Sequence, residues 1–137
     1  MHLPHRGQAR HPVVGRLTPH SMPITLRDGA SLREFQRYIY ELEQSKGWLD
    51  TSLKDNCFLM GEEVGELFKA VRLLERFAVE LDEQSATDTR DGLVSDVAFE
   101  IVDVLNYLLA IANRLDIDLE DAFREKNALN QKRSWSS

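Results

Sequence analysis

One stretch, Val97–Ala112 (Val-Ala-Phe-Glu-Ile-Val-Asp-Val-Leu-Asn-Tyr-Leu-Leu-Ala-Ile-Ala), limits the folds open to this chain more than any other. Wound as a helix it is apolar on almost every side, with Glu100, Asp103 and Asn106 as its strong polar exceptions. A helix of that kind has to be surrounded by protein. There an unpaired carboxylate is costly enough to shift its pKa or to demand a cation. The fold must therefore pack other elements around this helix and supply something that neutralises Glu100.

The remaining patterns supply helices. Ser31-Leu32-Arg33-Glu34 has the form of a capping box, and Phe35, Ile39 and Leu42 follow at helical spacing to about Lys46, where Gly47 ends the element. Trp48 and Leu49 open a turn that runs to Ser52. A second helix is expected from Leu53 to beyond Arg76, because Met60, Val64, Leu67, Val71 and Leu74 form a stripe at three- and four-residue steps. Ser85–Gly92 is polar and turn-rich and predicts a loop. A third helix follows from about Val94 to Arg114, then the link Leu115-Asp116-Ile117, and a fourth helix reaches Lys132 with Asp118 as N-cap and Leu119, Phe123 and Leu129 as its anchors. No convincing β alternation is present. The expectation is an all-α bundle of four to five helices over residues 31–134, completed by oligomerisation. Residues 1–30, which hold every histidine and every proline, are expected to be a disordered extension.

Several functions are excluded at this stage. No apolar run approaches the roughly 18 residues of a membrane span. Cys57 is the single cysteine, so no internal disulfide can form and a reducing cytoplasm is the expected compartment. Beside Phe58 and Leu59, and with no histidine in the helical body to activate it, Cys57 is expected to fill the core rather than act as a nucleophile. The formal net charge is −6 and most of the acid lies in the helical body, which argues against a general nucleic-acid surface.

The placement of those acids is informative. With Met60 as origin at about 100° per residue, the second helix's stripe spans roughly 320° through 0° to 80°, Glu63 lies at about 300° and Glu66 at about 240°. Both border the core, whereas Glu62 points away at about 200°. Glu63/Glu66 and Glu100/Asp103 are each i,i+3 pairs, so two facing helices would gather four carboxylates. Such a set suits a hard divalent ion, Mg²⁺ above all with Mn²⁺ as a substitute, and a nucleotide phosphate would complete its coordination. The competing explanation pairs the acids with Lys69, Arg72 or Lys126 in internal salt bridges. Di-iron cages that use Glu-x-x-His pairs lack a donor, since the last histidine is His20, and no glycine-rich phosphate loop is present. Lys126, Asn130 and Arg133 share one face of the fourth helix, where they either grip phosphates or complement the helix dipole. Trp48 can serve as core filler or as a wall for a nucleobase, with Asn106 a second candidate for facing the base.

At these residues the chain resembles the MazG-like, all-α nucleoside triphosphate pyrophosphohydrolases. The matching pieces are Gly61-Glu62-Glu63-Val64-Gly65-Glu66-Leu67, Glu100-Ile101-Val102-Asp103-Val104-Leu105, and Ile111–Leu119 leading into Lys126-Asn127-x-x-Asn130-x-x-Arg133. The resemblance implies a Mg²⁺ site on Glu63, Glu66, Glu100 and Asp103, with Glu63 the favoured base, and phosphate contacts at Lys126, Asn130 and Arg133. It further implies hydrolysis of a nucleoside triphosphate, with dUTP, dCTP or a modified nucleotide as candidates, to the monophosphate and pyrophosphate by a homodimer or homotetramer. The interval from Glu66 to Glu100 is longer than in compact members, and its excess either lengthens a helix or forms a lid. The alternative is a helical association or nucleotide-binding module without turnover; the complete set of four acids favours the enzyme.

Overall fold

The computed structural model describes residues 23–80 and 86–133, which form four α-helices and no strand: α1 (Leu32–Lys46), α2 (Leu53–Glu80), α3 (Ala86–Arg114) and α4 (Leu119–Gln131). The extension expected over 1–30 lies outside the described residues up to position 22. From 23 to 30 the chain is irregular and tied to α1, because Arg27 grips the Glu34 carboxylate through Nε (2.6 Å) and Nη2 (2.8 Å).

Helix boundaries follow the caps. Ser31 Oγ accepts from Glu34 N while the Glu34 side chain accepts from Ser31 N, the reciprocal pair that satisfies two otherwise orphaned donors. Gly47 terminates α1 in the left-handed region (φ 72°), a conformation that costs a residue without Cβ almost nothing. Asp118 caps α4 by accepting from Asp121 N, and Arg33 on α1 reaches Asp118, Glu120 and Asp121 together. Among the described residues, no helix is long and apolar enough to cross a membrane.

The loop expected at 85–92 is corrected: from Ala86 onward the chain is already helical, while Ser85 lies outside the described residues. None of Thr87, Asp88, Thr89, Arg90 or Asp91 forbids helical geometry, Asp88 in the first turn complements the dipole, and Gly92 alone costs about 1 kcal/mol. That cost is small beside the packing of the helix beyond it, where Leu93 lies across from Leu73. The long interval between the acidic pairs is thereby accounted for. Fourteen residues separate Glu66 from Glu80 and fourteen separate Ala86 from Glu100, so α2 and α3 form an antiparallel hairpin with equal arms of about 21 Å.

Helix α1 crosses the other end of the hairpin. Ile39, Leu109 and Ala110 are the buried apolar centre, with Phe35, Leu42, Leu105 and Leu119 packed around it. Buried Gln36 ties three elements: Nε2 donates to Asn113 Oδ1 (3.1 Å) and Ile117 O (2.8 Å), and Oε1 accepts from Leu119 N (2.9 Å). The expected anchoring of α4 is corrected in part. Leu119 joins the core, but Phe123 and Leu129 are 64% and 53% exposed, because α4 is fastened at its N-terminal end by ion pairs and the Gln36 bond. Cys57 is likewise exposed rather than core filler, since Asn56 takes the inward position in the first turn of α2.

Candidate metal centre

Equal hairpin arms set the two acidic pairs opposite one another. Glu63 from α2 and Glu100 and Asp103 from α3 each offer a carboxylate oxygen, and these atoms lie within 4.8 Å of one another. Glu63 and Glu100 are half-buried and Asp103 is exposed. Glu100 Oε2 is buried without a hydrogen-bond partner. A buried carboxylate oxygen left bare costs about 1–3 kcal/mol or more, and natural structures rarely tolerate it without an ion, a water or a catalytic use.

The charges act on each other. Burial first, then the negative neighbours Asp103 and Glu100, push the Glu63 carboxyl above its ordinary range. Burial, reinforced by Glu63, Glu62 and Asp103, also raises the Tyr107 hydroxyl, which therefore stays a proton donor. Among the described residues none of the four predicted acids is ion-paired with Lys69, Arg72, Lys126 or any other cation. Three half-exposed to exposed carboxylates with one bare buried oxygen form a donor set that fits a hard divalent cation.

Glu66, the fourth acid, is exposed and stands outside the tight cluster, in a groove with Glu100, Lys69 and Asp96. Trp48 and Asn106 are brought to the cluster: both line a pocket of about 600 Å³ together with Glu63 and Asp103. The indole is 53% exposed, so Trp48 is wall rather than core filler. Lys126 is exposed and Asn130 half-buried on α4, whereas Arg133 is exposed beyond the C-cap Lys132 and so is not on the helix face expected for it; none of the three lines the pocket or the groove that hold the acids.

Sequence reasoning missed further residues of the pocket lining, Glu43, Thr51, Asn56 and Tyr107. The signal existed for Glu43, which follows Ile39 by one turn and so puts a carboxylate on the buried face of α1. Its partner is Arg114 at the end of α3, bonded through Nη1 to Oε1 (3.0 Å) and through Nη2 to Oε2 (2.6 Å). Among the described residues this is the only ion pair with both side chains largely buried, 14% and 8% exposed. Removing one partner of such a pair typically costs 3–5 kcal/mol. Asn56 Nδ2 donates to Thr51 O (3.2 Å) and Ser52 O (2.9 Å), fixing the turn between α1 and α2 from below. No family model, curated protein or solved structure matches this chain.

Proposed function

We propose that this protein hydrolyses a nucleoside triphosphate to the monophosphate and pyrophosphate with Mg²⁺, for which Mn²⁺ can substitute. The observation that carries the proposal is the bare buried oxygen of Glu100 within a three-carboxylate cluster that opens onto a pocket walled by an exposed indole. A cation held by Glu63, Glu100 and Asp103, with Glu66 at the edge, would neutralise the triphosphate and acidify a bound water. The protein's own groups do the rest. Glu63, in the cluster and on the pocket wall, would accept the proton of the attacking water. Trp48 stacks on the base and Asn106 hydrogen-bonds to it, while the protonated Tyr107 donates a hydrogen bond to the bound nucleotide.

The active unit in this proposal is a homodimer or a dimer of dimers. Phe58, Phe68, Phe99 and Ile101 on the hairpin are 66%, 63%, 68% and 51% exposed, more apolar surface than a small monomer leaves uncovered. Lys126, Asn130 and Arg133 enter as phosphate contacts supplied across the subunit interface. The test is release of monophosphate and pyrophosphate from a panel of nucleotides including dUTP and dCTP, with Mg²⁺ and in a metal-free control. The same exposed apolar side chains favour one other reading, a helical association module without turnover. Failure to release pyrophosphate from any nucleotide of the panel would select it.

A further inference from the structure

The Arg114 guanidinium has five N–H groups, and all five are used. Besides the two bonds to Glu43, Nη1 donates to Ala110 O (3.1 Å), Nη2 to Trp48 O (3.0 Å) and Nε to Thr51 O (2.9 Å). Two of these acceptors belong to the turn that carries the pocket wall. Trp48 O also accepts from Thr51 N (3.1 Å), and Thr51 O also accepts from Asn56 Nδ2 (3.2 Å), so each carbonyl has two donors. Glu43, Trp48, Thr51 and Ala110, all bonded to Arg114, line the pocket with Glu63 and Asp103.

We propose that Arg114 is a positioning residue for the nucleotide: it fixes the Trp48–Thr51 wall at a set distance from the carboxylates and so governs how well the nucleoside part is held. This rests on the pyrophosphohydrolase reading for its substrate, but the fixing of the wall is independent of turnover. The chemistry requires arginine. Only a planar fork can meet a bidentate carboxylate on one edge and carbonyls from a helix and a turn on the others; an ammonium has three donors and no fork. Glu43 holds the fork in plane and supplies its countercharge in a site shielded from water. Arg114 reaches the α1–α2 turn, not the acids, so its loss should affect nucleotide binding while leaving the metal site in place.

The test uses the full chain carrying Trp135→Phe, which leaves Trp48 as the sole tryptophan. Into it go Arg114→Lys, which keeps the charge and loses the fork, and Glu43→Gln, which keeps the shape and loses the countercharge. The readouts are far-ultraviolet circular dichroism, acrylamide quenching of Trp48 fluorescence, the thermal shift induced by Mg²⁺ alone, and KM against kcat for the best nucleotide. The expected result for Arg114→Lys is retained helicity and Mg²⁺ response, stronger quenching of Trp48, and KM raised about tenfold with a much smaller change in kcat. Glu43→Gln should move the same quantities in the same direction. Unchanged quenching with unchanged KM in Arg114→Lys would overturn the proposal, and so would loss of helicity, Mg²⁺ response and kcat together in both variants, which would make the pair a plain element of the fold. If the parent hydrolyses no nucleotide, the pyrophosphohydrolase reading has failed, and the quenching comparison alone still decides whether Arg114 fixes the wall.

Discussion

Replacing Glu100 by glutamine separates stability from activity, and the geometry gives the size of the effect. Unit charges 4.8 Å apart, the outer limit of the carboxylate cluster, repel by about 3.5 kcal/mol at an effective dielectric of 20 and by about 0.9 kcal/mol in bulk water. Asp103 is exposed and Glu63 half-buried, so the lower part of that range applies. Glutamine removes the charge but leaves a polar atom in the buried site, giving back about 1 kcal/mol. The metal-free protein should therefore melt at the same temperature as the parent or up to about 5 °C higher, at roughly 4–8 °C per kcal/mol for a domain of this size. With Mg²⁺ the order reverses. A ligand at a hundred times its Kd stabilises by about 2.7 kcal/mol, and the variant should forgo most of that. Turnover should fall by about 10²-fold, equivalent to about 2.7 kcal/mol of lost transition-state stabilisation. Glu62→Gln, at an exposed position outside the cluster, serves as control and should change little. Thermal melts with and without Mg²⁺ beside steady-state rates provide the assay. Full activity and an unaltered Mg²⁺ response in Glu100→Gln would refute the catalytic reading. A direct loss of about 3–5 kcal/mol without metal would instead point to a broken salt bridge.

Three further outcomes are expected. Because burial and then Asp103 and Glu100 raise Glu63, the native state binds its proton more tightly than the unfolded chain: the contribution of Glu63 to metal-free stability is full below its unfolded value of about 4.5 and is lost as pH rises through the folded one, opposite in sense to the contributions of Glu34 and Asp118, whose pKa values are lowered. Mg²⁺ needs the carboxylate, so its apparent affinity should weaken as pH falls through the same window; titration calorimetry showing a flat pH profile would contradict this. Sedimentation at micromolar concentration should show at least a homodimer, and Phe68→Glu with Phe99→Glu should dissociate it while preserving helicity; an active monomeric parent would remove the case for assembly. Trp48→Ala or Asn106→Ala should shift preference among bases more than it shifts Mg²⁺ affinity, as read from kcat/KM across the nucleotide panel, whereas an equal loss on all nucleotides would exclude base contact.

The helices and their caps were legible because each depends on neighbours in sequence: the Ser31 box, the αL glycine at 47 and the Asp118 cap are all local chemistry. The proximity of three of the four acids, Glu63, Glu100 and Asp103, was legible for a related reason, since i,i+3 spacing puts each pair on one face of its helix, whereas the exclusion of Glu66 depends on how the two helices are rotated against each other. The polar start of α3 reads as a loop although no residue there breaks a helix outright, and only packing against α2 decides between the two. Cys57, Phe123 and Leu129 misled because apolarity shows that a side chain seeks cover without showing which molecule provides it. The Glu43–Arg114 pair was out of reach, since its partners are seventy-one residues apart and nothing local marks Arg114 as more than a cation at a helix end.

That separation has a consequence for how the protein comes together. The carboxylate cluster is made inside one hairpin whose connection is short, whereas the wall of the pocket is closed by contacts between α1 and α3 that span most of the helical body. Chain entropy therefore weighs somewhat more on the wall than on the cluster, and α1 is the segment whose docking is harder to win and easier to release. Amides of α1 should accordingly exchange with solvent through a smaller opening than those at the middle of α2 and α3. If the protein acts as proposed, a chain in which α1 has come loose would still hold a cation and would lose its grip on the base, so that mild destabilisation, by heat, denaturant or mutation, would blur the choice of nucleotide before it stopped the chemistry.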